Sequence, residues 1–381
     1  MKALTQRNQP LDALRCIAVL LVVGFHYPYY RLWGTLGWIG VDLFFVLSGF
    51  LISGLLFQEY KKTGGIRFKR FLVRRGLKIY PAFYLLIGMA IAQGFLNHSG
   101  SLRHQAFISA VLVQGYYQGP IHAMLSHTWS IAVEEHFYLF LPLLLLLLIM
   151  VRRSQDPFDS IPALFGLFFV ICLLFRWFTL PSLIPASMTH MRMDSLFAGV
   201  TLGYLYHYRR HLFERLTGHY ALAIAFLCCV PAALIPQRQH WMQTFGLSAL
   251  LLGFSFLVAW AVVRTPKSLV SRMVTKAAAK IGFYSYSIYL WHTLIIYVFL
   301  DSKRSVWVFW AYLCTSVVVG IAMAHLVELP YLTLRDKLFP ASDGVSALPE
   351  ACASSQLSVQ RASFAEISPI PIKSQVGLSS T

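Results

Sequence analysis

Ten apolar stretches, at residues 11–30, 38–57, 77–96, 130–151, 160–179, 192–208, 219–236, 243–263, 280–300 and 305–329, dominate the chain. Each is close to the ~20 residues a helix needs to cross a hydrocarbon core ~30 Å thick. Inside such a core every backbone N–H and C=O must be satisfied without water, so runs of this length take the form of α-helices. The expected fold is therefore all-α: a polytopic membrane helix bundle of about ten transmembrane helices, spanning residues 1–340. A soluble alternative fails on composition, because 57% of the residues are hydrophobic and only 12% charged. The stretch 103–117 is expected to lie as an interfacial helix. From residue 341 to 381 the sequence turns Ser-, Ala- and Pro-rich without periodicity, which predicts a disordered cytoplasmic tail.

A net charge of +17 in a soluble chain would suggest nucleic acid, but the distribution of the charges points elsewhere. With the amino terminus inside, 22 of the 32 lysines and arginines fall on the inner side and five on the outer. That asymmetry is the positive-inside signature and predicts both termini in the cytoplasm. The basic excess is first a topology signal, and no nucleic-acid partner is expected. Lys2 and Arg7 precede the first apolar run with no small-residue cleavage site behind it, so a retained first helix is expected. Five cysteines lie in spans and Cys352 in the tail, with no CxxC pair, so neither a metal site nor a structural disulfide is implied.

Ionisable residues within spans are rare, because each costs on the order of 3 kcal/mol at mid-span, and they tend to mark function. They are Asp12, Arg15 and His26 in the first span, Asp42 in the second, Glu134 and Glu135 in the fourth, and Arg176 in the fifth. Arg192 and Asp194 follow in the sixth, His292 in the ninth, and Glu328 closes the tenth. Arg15 and His26 are eleven residues apart, which returns them to nearly one helix face with a separation of ~16 Å. Ser130, Glu134 and Tyr138 share a face at i, i+4 and i+8, and Ser285, Tyr289 and His292 form another polar stripe. By the expected topology His26, Asp42, Glu134, Arg192, Asp194 and His292 all lie in the outer half. Titratable groups from several helices at one depth are what a buried reaction site needs. Arg176 and Glu328 are expected to be structural.

On the inner side, Lys61 to Lys78 gathers eight cations ahead of the third span. Arg74, Arg75 and Lys78 recur within one helical turn, an arrangement suited to a polyphosphate at the bilayer face, with Arg15 completing an anion port.

Seven segments, LDALRCIAVLLVVGFH, GWIGVDLFFVLSGFLISGLL, RRGLKIYPAFY, TWSIAVEEHFYLFLP, RMDSLFAGV, YSYSIYLWH and VELPY, resemble in order and spacing the acyltransferase family 3 of integral membrane O-acyltransferases. The resemblance covers roughly residues 10 to 335. It implies a multi-pass enzyme of the bacterial cytoplasmic membrane that moves an acyl group, commonly acetyl, from cytoplasmic acyl-CoA to a hydroxyl of a saccharide or another acceptor. It also implies no permanently bound cofactor. The family's early Arg and His fall on Arg15 and His26, and its SxxxExxxY motif on Ser130, Glu134 and Tyr138. Its RxxR motif falls on Arg75 and Lys78, where Lys keeps the charge and loses the bidentate fork. The soluble hydrolase-like domain of some relatives is not expected here.

Together these readings predict a mechanism. Arg15, Arg74, Arg75 and Lys78 hold the donor's phosphates while its pantetheine arm reaches outward. His26 deprotonates the acceptor hydroxyl or accepts the acyl group itself. Glu134 orients His26, and Tyr138, Ser130 or Arg192 donates to the developing oxyanion. Asp42, Arg192, Asp194, Tyr289 and His292 are candidates for acceptor contact, and Glu135 is expected to pair with a cation. A secondary transporter using the same polar layer is the alternative.

Overall fold

Helix follows helix from Gln9 to Leu338 in the computed structural model, and no strand occurs among the described residues. These are residues 8–27, 29–117, 119, 121–152, 156–179, 187–266, 268–299 and 305–340. The expected tail at 341–381 lies outside them.

In chain order the helices are α1 (Gln9–His26), α2 (Arg31–Leu36), α3 (Gly40–Thr63), α4 (Phe68–Leu96), α5 (Gly100–Ala110), α6 (Trp129–Val151), α7 (Ile161–Phe178) and α8 (Met193–Tyr208). Then come α9 (Arg210–Arg215), α10 (Tyr220–Leu234), α11 (Leu247–Val263), α12 (Leu269–Phe283), α13 (Ser285–Phe299), α14 (Val306–Met323) and α15 (Leu329–Leu338). Each of the ten predicted spans overlaps one of these helices, and the ninth, 280–300, also takes in the end of α12. Seven helical segments have at least 18 residues and are apolar enough to cross a membrane. The other three predicted spans fall on α8, α10 and α13, which have 16, 15 and 15 residues. The predicted interfacial helix is α5, which ends at Ala110 and is followed by a short 3-10 turn at Gln114–Tyr116.

Local chemistry sets the helix ends. Asn8 caps α1 by accepting from the Leu11 N–H at 3.2 Å, with Pro10 in the first turn, where its missing N–H costs nothing. Gly64, at φ 71°, closes α3 by turning into the left-handed region while its N–H bonds the Tyr60 carbonyl at 2.8 Å.

The bundle is built around α1 and α3. Helix α1 packs along α12, α3 and α13, and α3 packs along α8. With no water to expel, helices in a bilayer associate through close backbone approach, and small residues permit it. Gly199 on α8 faces Gly49 on α3 so closely that a Cβ on Gly199 would stand 2.2 Å from the Val46 carbonyl oxygen and 2.6 Å from the Phe50 nitrogen. Both are backbone atoms and cannot swing aside. Gly199→Leu is therefore expected to cost at least the ~1–3 kcal/mol of an overpacked core, read as a lower thermal midpoint in detergent. An unchanged midpoint would mean that the α3–α8 contact is looser than this. The same device seats α12 at the base of α1, where Gly282 meets the Asp12 carbonyl.

Candidate active site

Helix α1 carries both ends of the site on one face. Near its start Arg15 lines a narrow cavity of about 100 Å³ together with Arg75 and Lys78 of α4, Ser48 of α3, and Ser130, Glu134 and Tyr138 of α6. Glu134 is held tightly there. Ser48 Oγ donates to its Oε1 at 2.6 Å, and Tyr138 Oη donates to its Oε2 at 2.8 Å. The Arg75 guanidinium sits 5.5 Å from the centre of the Tyr138 ring, and Arg15 is braced by Asp12 at 3.1 Å. Among the described residues, three cations and one carboxylate line this cavity, so it favours an anionic guest.

At the other end of α1, His26 lines a wider cavity of about 370 Å³ with Asp42, Gln105, Gln114, His127, Trp129 and Arg192 among its walls. The hydrogen bonds fix the tautomers of the histidines. His292 Nδ1 lies 2.6 Å from the Tyr289 carbonyl oxygen, which can only accept, so that nitrogen carries the proton and Nε2 carries the lone pair. His26 Nδ1 lies 2.9 Å from the Val22 carbonyl and 3.2 Å from His292 Nε2, so it donates toward both acceptors. Neutral His26 is thereby left with Nε2 as its basic nitrogen, and the residue lines the wide cavity. His127 completes the cluster: its ring centre is 5.1 Å from that of His292, and its Nε2–H points at the Leu290 carbonyl at 3.2 Å.

Tyr289 and Val41 line both cavities. Tyr289 Oη is 2.7 Å from the His127 carbonyl oxygen and 2.5 Å from Ser130 Oγ. Because the carbonyl accepts, the tyrosine donates to it and Ser130 donates to the tyrosine.

Several sequence expectations resolve differently in three dimensions. Glu134 does not orient His26: its described partners are Ser48 and Tyr138 at the narrow cavity, whereas His26 is held by Val22 and His292. His292, fully buried, lines neither of these two cavities and stands behind His26, not beside an acceptor. Asp194 is also sealed away, paired with Arg176 at 2.6 Å, while Ser248 accepts from the same guanidinium at 3.0 Å. Arg176, expected to be structural, is buried in this pair, and Glu328, expected likewise, accepts from Ser287 at 2.8 Å. Arg74 leaves the anion port: it pairs with Asp336 of α15 at 3.0 Å and donates to the Phe339 carbonyl. Glu135, expected to pair with a cation, bonds the Tyr80 hydroxyl and lies within electrostatic reach of Arg75. Arg192 and Asp42 do line the wide cavity, as a buried pair at 2.7 Å. The sequence reading missed Ser48, a neutral residue within a span, and His127, which precedes the fourth span and so escaped a search for charges inside spans.

The sequence profile of the acyltransferase domain family matches residues 8–325. The chain is 28% identical to the peptidoglycan O-acetyltransferase OatA of Listeria monocytogenes over 309 residues, which is 75% of this chain and 49% of that protein. A Staphylococcus aureus protein bearing the name of an O-acetyltransferase is 26% identical over 352 residues, covering 84% of this chain and 56% of its own. Bacillus subtilis YrhL, named as a peptidoglycan O-acetyltransferase, is 27% identical over 354 residues, 85% of this chain and 54% of its own. The chain thus spans about half the length of the curated relatives it matches. No solved structure matches it. With a profile match running from the cap of α1 into the last membrane segment, the chain belongs to the acyltransferase domain family.

Proposed function

We propose that this chain is a membrane O-acetyltransferase that moves an acetyl group from cytoplasmic acyl-CoA to a hydroxyl of a saccharide on the outer side of a bacterial cytoplasmic membrane. In this reading both termini are cytoplasmic, ten helices cross, and the narrow cavity opens inward. The observation that carries it is the geometry of α1: a cationic cavity at Arg15, and ~16 Å further along the same face a histidine that lines a cavity of saccharide size.

Arg15, Arg75 and Lys78 hold the donor's anionic part, and its thioester arm reaches outward past Ser48, Glu134 and Tyr138 to the Tyr289 end of the narrow cavity. The acceptor enters the wide cavity, where Trp38 and Trp129 offer flat apolar faces and Gln105, Gln114 and the Asp42–Arg192 pair offer polar edges, a mixture that suits a polyol. As the hydroxyl oxygen attacks the thioester carbonyl, His26 Nε2 takes its proton, and the resulting imidazolium returns that proton to the departing thiolate. The relatives named for peptidoglycan make a cell-wall saccharide the first acceptor to try.

The test is release of free thiol and transfer of label from acetyl-labelled CoA in proteoliposomes given peptidoglycan fragments. Acceptor-dependent labelling is expected. A folded protein that releases no thiol with any saccharide offered would sink the proposal.

A further inference from the structure

We infer that Tyr289 is a septum between the donor and acceptor cavities, keeping water of the wide cavity away from the thioester until an acceptor is seated. This rests on the donor reading given above.

Four observations converge on this residue. Tyr289 lines both cavities, so its ring is part of the wall that divides them. It is held from three directions: Ser130 of α6 at 2.5 Å, the His127 carbonyl at 2.7 Å, and Phe44 of α3 edge-on at 6.2 Å between ring centres. A hydroxyl that both donates and accepts in a dry setting fixes the ring's position, whereas a phenylalanine would fill the same space without that anchor. Finally, the carbonyl of the same residue accepts from His292, the partner of His26. The wall and the histidine that holds the base therefore share one turn of α13, and a shift of that turn on acceptor binding would move Tyr289 and His292 together.

The chemistry requires a barrier of this kind. The narrow cavity, about 100 Å³, has room for only a few waters at ~30 Å³ each, and an acyl head there would displace them. The wide cavity is large enough to hold water whenever the acceptor is absent. Water reaching the thioester would form a C–O bond to the acyl carbon, break the C–S bond, and release a carboxylate, a free thiol and one proton. The donor would be consumed with nothing transferred.

The experiment measures thiol release from acetyl-CoA without acceptor, and acetyl transfer to peptidoglycan fragments with it, in purified protein whose thermal midpoint is recorded. Tyr289→Ala is expected to raise acceptor-independent thiol release at least tenfold while lowering the fraction of acetyl that is transferred. Tyr289→Leu, which keeps an apolar side chain of intermediate size, is expected to do the same to a smaller degree and decides the matter if the alanine variant does not fold. Tyr289→Phe keeps the ring and loses its hydroxyl anchor, so release is expected to rise by less than in Tyr289→Ala. No rise in either truncation would overturn the septum, and so would a rise in Tyr289→Phe equal to that in Tyr289→Ala. A wild-type protein that releases no thiol even with acceptor would overturn the donor reading, and the septum with it.

Discussion

Replacing His26 by alanine should abolish acetyl transfer to within background while leaving the protein folded and still able to bind acyl-CoA. A positioned general base contributes ~10²–10⁴-fold, and that is the role proposed for His26, whose Nδ1 is held by the Val22 carbonyl and His292. Donor binding should persist, because Arg15 lies ~16 Å down α1 from the histidine, and Arg75 and Lys78 of α4 line the same cavity as Arg15. His292 acts through His26, so its loss should be milder: His292→Leu is expected to lower kcat by about tenfold or more with little change in KM for the donor, since the Val22 carbonyl still holds Nδ1–H. His292→Gln, whose amide oxygen can accept in place of Nε2, should recover much of that loss. In a His26→Ala background, His292→Leu should cost nothing further, as groups serving one proton transfer are non-additive. Glu134→Gln acts at the other cavity, so its effect should multiply with that of His292→Leu. A folded His26→Ala protein with near-normal turnover would remove the base, and His127 would become the histidine to test.

The contrast between Glu134 and His292 shows how far a sequence can be read. Periodicity is a one-helix property, and the faces it picks out line the two cavities: Arg15, Ser130, Glu134 and Tyr138 the narrow one, and His26 the wide one. What periodicity lacks is the relative height and rotation of neighbouring helices. Whether Glu134 meets His26 or Ser48 depends on how α6 sits against α1 and α3, a matter of packing between helices far apart in sequence. The decisive bonds span 86 residues for Ser48–Glu134 and 266 for His26–His292, beyond the reach of any local pattern. The same ambiguity attached to charges. Arg176, Arg192, Asp42 and Asp194 lie near one another, and composition does not say that Arg176 takes Asp194 while Arg192 takes Asp42. Neutral polar residues carry the weakest signal, since a serine in an apolar helix usually bonds its own backbone; Ser53, bonded to the Phe50 carbonyl, looks the same in sequence as Ser48.

Arg75→Ala should raise the KM for acetyl-CoA by about ten- to a hundredfold while kcat at saturating donor falls much less. Arg75 lines the narrow cavity with Arg15 and Lys78, and a hydrogen bond to a charged group is worth ~1.5–3 kcal/mol, with each 1.4 kcal/mol a factor of ten. The contact is made to a part of the donor that does not react, so it binds ground state and transition state alike and appears in KM. Lys78→Ala should act in the same direction and more weakly, because an ammonium meets a phosphate as a point charge, and Lys78→Arg, which restores a bidentate fork, should be neutral or lower KM. Both effects should shrink as salt rises, since screening weakens partly exposed charge pairs. Arg74→Ala separates a local effect from a general loss of positive charge. Its neighbour position gives it the same formal charge, yet it is spent on Asp336 and the Phe339 carbonyl, so the donor KM should move by no more than about twofold while the hold of α15 on α4 loosens. Isothermal titration with acetyl-CoA on purified protein measures this directly. An Arg75→Ala protein that binds the donor as tightly as wild type would show that these cations fix the chain's orientation in the membrane and hold no donor.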